Sequence, residues 1–294
     1  MAVRGSPVVP VASHLLDSSD TLPGGPSHDT DAIYGYPHSL PKPVTTVFIS
    51  DLHLTPDNPG LIGHFERFFE NLLSNDTKRL FILGDLFEYW LGDDSSGYLG
   101  QDTFEQQLKR ASDAGIDTSL IHGNRDFLLG QAFCTRTGCK LLAEPYLLDE
   151  GGHRILLLHG DSLCTEDIEH QRFRNMVRSS EWQKSFLERS IVDRNQLALQ
   201  VRYRSEQGKS LKPMDIMDVN DQAVTHELDK AAVRTMIHGH THRPDIHRIL
   251  HSDGSVAFRV VLGDWSQGPS YAELTTGHLT LYHADSYQEI NLGQ

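Results

Sequence analysis

The sequence predicts an α/β layered fold carrying a helical insertion, and three observations predict it. Short apolar runs alternate with stretches of helical spacing along the first half of the chain. Five apolar runs end in Asp, Asn or His, usually beside a glycine. The intervals from His53 to Asp85, Asp85 to Asn124 and Asn124 to His159 are 32, 39 and 35 residues, whereas His159 to His240 is 81. About forty or fifty residues therefore stand inserted after His159.

Taken in order, Val47–Leu54 (VFISDLHL) opens as an apolar, β-branched run, the pattern of a buried strand, and stops at Asp51 with His53 two residues on. Pro56–Pro59 marks a turn. Phe65, Phe68, Phe69, Leu72 and Leu73 then share one helical face over His64–Leu73, with His64 read as an ordinary surface histidine. Leu80–Leu83 runs into Gly84-Asp85. A helix over about Thr103–Ala114 ends at Gly115, a residue suited to helix termination. Ser119–Ile121 runs into His122-Gly123-Asn124-Arg125-Asp126, and Ile155–Leu158 into His159-Gly160-Asp161.

The insertion, about 165–220, reads as helical from the pairs Phe173/Val177, Trp182/Phe186 and Leu187/Ile191. Between 170 and 212 it holds ten basic residues (Arg172, Arg174, Arg178, Lys184, Arg189, Arg194, Arg202, Arg204, Lys209, Lys212) against four acidic ones. An apolar, basic helical lid suits an anionic, partly greasy substrate or an anionic membrane surface. Thr235–Ile237 then leads into His238-Gly239-His240-Thr241-His242. The tail, Ala257–Leu262, Tyr271–Leu274 and Leu279–His283, is strand-like, with turns at Gly268-Pro269 and Gly277.

Composition narrows the function. A formal charge of -14 argues against a general nucleic-acid binder. Cys134, Cys139 and Cys164 form no even framework and no Cys-x-x-Cys pair, so they read as buried thiols of a reducing compartment. No apolar stretch reaches the roughly 18–20 residues of a membrane span. Val8–Leu16 is short and interrupted by Pro10 and His14, which argues against a signal peptide and for the cytoplasm. Residues 1–43 hold seven of the thirteen prolines and show no period, so they are expected to be a disordered extension, either a regulatory tail or the product of a misplaced start codon. Residues 44–294 would form the catalytic domain.

The strand ends pool Asp51, His53, Asp85, Asn124, His159, His240 and His242, a nitrogen and oxygen donor set without thiolate. In open α/β sheets ligands gather at the carboxyl ends of strands. Such donors suit Mn²⁺, Fe, Mg²⁺ or Zn²⁺. Seven are too many for one ion that must keep an open position, and they suit two ions sharing a carboxylate. Asp85, mid-set and beside Gly84, is the expected bridge. His240 and His242, two apart in an extended segment, would project the same way and serve different ions. Arg125 could grip a phosphate bidentately. His122, His238, Asp126 and Asp161 are expected behind the donors, not among them.

With these residues assembled, the chain resembles the calcineurin-like metallophosphoesterases. The resemblance rests on Asp51-Leu52-His53, Gly84-Asp85, Gly123-Asn124-Arg125-Asp126, His159 and Gly239-His240-Thr241-His242, all present and in order. A narrower resemblance, over about 46–265, is to the UDP-2,3-diacylglucosamine hydrolase family of the lipid A pathway of Gram-negative bacteria. It rests on ISDLHL, ILGDLFEYWLGDD, IHGNRDFLLG, LHGDSLCTED, IMDVN, IHGHTHRP and FRVVLGDW.

The resemblance implies a four-layer α/β/β/α sandwich with a helical lid and a two-Mn²⁺ centre. It implies water attack on the pyrophosphate of UDP-2,3-diacylglucosamine, releasing UMP and 2,3-diacylglucosamine 1-phosphate (lipid X), by an enzyme peripheral to the cytoplasmic face of the inner membrane. It further implies that Asp51, His53, Asp85 and His242 hold one ion and Asp85, Asn124, His159 and His240 the other. Asp85, Asn124 and His240 are then the expected catalytic residues. Substrate contacts fall on Asn124, Arg125, Asp167, Ser205, Lys209, Lys212 and His240, with Lys209 standing where the family has asparagine. A nucleotide phosphodiesterase or protein phosphatase would share the metal site without needing a greasy lid. A non-catalytic scaffold should have lost donors, and none is missing.

Overall fold

The computed structural model describes residues 45–209, 218–250 and 253–293. The expectation for residues 1–43 lies outside them.

Among the described residues the chain forms two sheets. The first has seven strands in the order β12-β11-β10-β1-β2-β3-β4. Its central strands are β1 (Thr45–Ile49), β2 (Thr77–Leu83) and β3 (Asp117–Ile121), all parallel, with the short β4 (Lys140–Leu141) beyond them. β10 (Ser270–Thr275), β11 (His278–His283) and β12 (Ser286–Asn291) form an antiparallel meander joined to β1. The second sheet has five strands in the order β5-β6-β7-β9-β8. Here β6 (His153–Leu157), β7 (Thr235–His238) and β9 (Val256–Val261) run parallel, while β5 (Tyr146–Glu150) and β8 (Asp245–Leu250) are antiparallel edges.

Three apolar clusters show how the layers stack. Phe48, Phe81 and Leu83 of the first sheet meet Ile155, Leu157, Ile237 and Val260 of the second. On the outer face of the first sheet, Val47, Ile49, Leu80 and Ile82 pack with Phe65, Phe68 and Phe69 of α1 (Pro59–Ser74), Phe104 and Leu108 of α3 (Asp102–Asp113) and Phe133 of α4 (Gln131–Thr137), with the one-turn α2 (Ser96–Leu99) nearby. On the outer face of the second, Leu156 and Met236 pack with Val224 and Leu228 of α8 (Asp221–Ala231). The result is the expected helix–sheet–sheet–helix order.

Local rules set the helix ends. Pro59 opens α1 with its ring-fixed φ, and the Asn58 side chain accepts from the Leu61 amide. Gly115, with φ 86°, follows the end of α3 as expected. The insertion is helical: α5 (Ile168–Val177), α6 (Ser180–Leu187) and α7 (Ile191–Lys209). The pairing of Leu187 with Ile191 is corrected, because α6 ends at one and α7 begins at the other. Ser190 breaks the run by accepting the Asp193 amide at 3.2 Å, which starts a new helix.

Many of the insertion's basic residues tie it to the body. Arg174 donates to Asp161 at 2.8 Å and to Glu144 at 2.9 Å, and Arg178 to the Gly123 carbonyl at 3.1 Å. Arg194 reaches the Leu91 carbonyl at 2.5 Å and pairs with Asp94, while Arg202 pairs with Glu88. Arg172, Lys184, Arg189 and Arg204 remain exposed. No helix of the described residues is long and apolar enough to cross a membrane.

Candidate metal centre

Parallel pairing brings the ends of β1 and β2 out on the same edge, and backbone bonds keep them together beyond the strands. The Asp51 amide donates to the Gly84 carbonyl at 3.1 Å, that of His53 to Asp85 at 3.0 Å and that of Leu54 to Leu86 at 2.9 Å. Asp51, His53, Asp85, His240 and His242 all adopt left-handed φ between 50° and 67°, an uncommon region for residues with a Cβ. Two glycines permit the close approach. A Cβ on Gly123 would lie 2.0 Å from Asp85 Oδ1, and one on Gly239 2.0 Å from Asp51 Oδ2.

Two triplets converge, Asp51–His53–His242 and Asp51–Asp85–His159, each with ligand atoms within 4.8 Å of one another. Both carboxylates are aimed by backbone amides: Asp51 Oδ2 accepts from His240 N and Asp85 Oδ1 from Arg125 N, each at 2.8 Å. The free oxygens face imidazoles. Asp51 Oδ1 lies 3.2 Å from His242 Nε2 and 3.9 Å from His53 Nε2, and Asp85 Oδ2 lies 3.7 Å from His159 Nε2. The carboxylate common to both triplets is Asp51, with Asp85 in the second. Behind the imidazoles, His53 Nδ1 faces Glu88 at 3.4 Å, His242 Nδ1 faces Asp264 at 3.3 Å, and His159 Nδ1 bonds the Leu83 carbonyl at 2.9 Å. Each leaves Nε2 as the atom presented to the centre.

The electrostatics are those of a site short of positive charge. Burial alone would raise the Asp51 carboxyl, yet His242, His159 and His53 hold it below its ordinary value. Burial pushes the Asp85 carboxyl up. Burial opposes charging His159, but Asp85 and Asp51 outweigh it and lift that imidazole to about 9. For His242, likewise, Asp264 and Asp51 prevail over burial and raise it to about 10. Burial keeps His53 neutral, lowered to about 3, and His240 well below its ordinary value. Asp51 Oδ1 is buried and accepts no hydrogen bond. A buried carboxylate oxygen without a donor, ringed by Nε2 atoms, fits a divalent cation.

The remaining expected residues divide. Asn124 Oδ1 sits 3.0 Å from His159 Nε2, so Asn124 joins the second triplet. The His240 ring stands 5.0 Å from that of His159 and 5.5 Å from that of His170, at the start of the insertion. His240 and His242 do not lie in an extended segment, and that expectation is corrected. The Thr241 amide turns back to the Gly239 carbonyl at 2.8 Å, and the left-handed backbone on either side sends one histidine to each triplet. Arg125 is held by Glu88 at 3.0 Å. Asp167 caps α5 by accepting from the His170 amide at 3.1 Å, and Ser205 is exposed on α7. Lys212 and the side chain of Lys209 lie outside the described residues.

His122 bonds the Leu129 carbonyl at 2.7 Å, His238 packs beside Arg259, Asp126 accepts from the Gly123 and Leu86 amides, and Asp161 pairs with Arg174. Sequence reasoning missed Glu88 and Asp264. Asp264 carried the signal already in use, since the apolar β9 runs into Gly263-Asp264. A cleft of about 980 Å³ opens on the centre, lined among others by Asp51, His53, Glu88, Arg202, His242 and Asp264.

The calcineurin-like phosphoesterase family matches residues 44–244. The chain belongs to this family. Within the calcineurin-like phosphoesterases, it is 45% identical over 230 residues to a UDP-2,3-diacylglucosamine hydrolase of Marinobacter nauticus, covering 78% of this chain and 93% of that protein. It is 42% identical over 240 residues to the hydrolase of that name from Klebsiella pneumoniae, covering 82% and 99%. A solved structure of Vacuolar Protein Sorting 29 from Cryptosporidium parvum aligns with a TM-score of 0.47 at 12% identity, over 85% of this chain and 99% of that one.

Proposed function

We propose that the chain hydrolyses the pyrophosphate of UDP-2,3-diacylglucosamine, giving UMP and 2,3-diacylglucosamine 1-phosphate, with two divalent ions, Mn²⁺ by preference. The observation that carries the reading is the pair of converging donor triplets, of which Asp51, His53 and His242 line a cleft that the helical insertion borders through Asn195, Leu199 and Arg202, in a chain whose relatives bear that enzyme's name.

Asp51, His53, Asp85 and His242 would hold one ion, and Asp85, Asn124, His159 and His240 the other. When bound, the ions supply Lewis acidity toward the phosphoryl oxygens and make water a nucleophile near neutral pH. The chain's own residues do the positioning. Backbone amides of His240 and Arg125 fix the carboxylates, while Asp264 and the Leu83 carbonyl fix the rings of His242 and His159 and Glu88 faces that of His53. Arg125 and Arg202 share Glu88, so a substrate diphosphate would draw both guanidinium groups from one carboxylate onto itself. Asp167, Ser205, Lys209 and Lys212 would add further substrate contacts.

The insertion suits the lipid half. Ile168, Met176, Val192 and Tyr203 are about half or more exposed on its helices, beside the exposed Arg172, Lys184, Arg189 and Arg204. Apolar and cationic groups on one surface favour an anionic bilayer. This supports peripheral attachment to the cytoplasmic face of the inner membrane.

The test is UMP release from UDP-2,3-diacylglucosamine in detergent micelles by chelated enzyme, before and after Mn²⁺ is added. Metal-restored UMP with lipid X is the expected result. Cleavage of a generic aryl phosphodiester without UMP release would keep the metal site and discard the lipid substrate.

A further inference from the structure

A second cavity, of about 410 Å³, adjoins the turn that carries His240 and His242 and shares no described lining residue with the larger cleft. Its described lining includes Thr241, Arg243, His247 and Arg259, with Asp218 and Asp245.

Arg259, on β9, is 8% exposed. One Nη donates to His238 Nε2 at 3.3 Å, and its Nε has no hydrogen-bond partner. It pairs with no described carboxylate. The acids of the lining are engaged elsewhere: Asp218 pairs with Arg243, and Asp245 accepts from the Ile246 amide at 2.8 Å. Thr241 Oγ1 is likewise buried without a partner.

A buried guanidinium whose one hydrogen-bond acceptor among the described residues is an imidazole is costly to maintain, because it has lost water and gained no bonded anion, with Asp218, Asp221 and Asp245 acting on it only through space. Buried donors in folded proteins are almost always satisfied. Here Arg259 and Thr241, each with a buried donor atom that has no partner, are lining residues of one cavity, whose volume falls within the range of small-ligand sites. Planar guanidinium groups match tetrahedral oxyanions, and a threonine hydroxyl adds a donor to them.

We propose that this cavity is a second oxyanion site, separate from the metal centre, which takes a phosphate group through Arg259 and Thr241. The occupant is either free phosphate or a nucleotide such as the UMP that the proposed reaction releases. Because Thr241 stands between His240 and His242, occupancy would be felt at the turn that carries both histidines.

The test is calorimetric titration of the full-length, metal-loaded protein with inorganic phosphate and, separately, with UMP. The wild type and the variants Thr241→Val and Arg259→Gln are compared, with metal content and circular dichroism checked for each. Thr241→Val removes a hydroxyl that bonds nothing, so its fold should be undisturbed. The expected result is a phosphate site beyond the metal centre whose affinity falls roughly tenfold in Thr241→Val, the loss of one charge-assisted hydrogen bond. Arg259→Gln should abolish it. UMP competing with phosphate for that site identifies the nucleotide as occupant, whereas phosphate alone binding there identifies the free ion. A single phosphate site at the metal centre, or a second one indifferent to Thr241→Val in a folded, metal-loaded variant, overturns the proposal.

Discussion

Asp264 lies 3.3 Å from His242 Nδ1, on the opposite side of the ring from Asp51. A carboxylate so placed fixes the tautomer and leaves Nε2 for a cation. Asp264→Ala should therefore weaken Mn²⁺ binding by about 10–100-fold. Activity should recover when metal is raised to saturation. A titration of activity against free Mn²⁺ checks this, and an unshifted curve would remove Asp264 from the site.

Asp85 and His240 follow different strands, β2 and β7, but meet the same centre. Asp85→Ala and His240→Ala should each lower kcat by at least about a thousandfold, since each removes part of a charge-stabilising array that is worth several kcal/mol. Circular dichroism should stay native. Wild-type turnover by either variant at saturating Mn²⁺ would sink the two-ion assignment.

Arg202 joins α7 to Glu88, and its guanidinium lies 5.1 Å from the centre of the Tyr89 ring. Arg202→Ala removes both ties. The expected outcome is faster amide exchange along α7 and a KM that rises more than kcat falls, because what is lost holds the insertion over the cleft. Unchanged exchange in α7 would show that the pair holds nothing.

The buried thiols give a pH dependence of known sign. Burial pushes Cys139 and Cys164 up to about 12 from an ordinary 9.0, and raises Cys134 as well. Between pH 9 and 12 the folded chain keeps protons that the unfolded chain releases, so stability falls as pH rises through that window. Denaturant midpoints measured at pH 8 and pH 10 should show the loss. At pH 8 a thiol reagent should label no cysteine in the native protein and all three after denaturation. Rapid native labelling would contradict this burial.

Much of the site was legible because it is written at strand ends, where an abrupt change from apolar to polar is visible along the chain. Asp51, His53, Asp85, Asn124, His159, His240 and His242 all announce themselves in that way. What stayed hidden depends on contacts that no local pattern encodes. Glu88 follows no apolar run, and it matters because Arg125, Arg202 and His53 converge on it from other elements. The turn at Thr241 was read as extended because alternation two residues apart mimics a strand, whereas the backbone there is left-handed. The ten basic residues of the insertion read as one surface. In fact Arg174, Arg178, Arg194 and Arg202 face inward, because acids and carbonyls far away in sequence await them.

The left-handed backbone at Asp51, His53, Asp85, His240 and His242 sets fold and reaction against each other. Each such residue costs on the order of 1 kcal/mol or more, and glycine would relieve it. Replacing His53, whose side chain accepts no backbone amide, with glycine should raise the melting temperature of the metal-free chain while destroying its site. A lineage freed from the need for this chemistry would find inactivation downhill, and its descendants would keep the sandwich longer than the histidines.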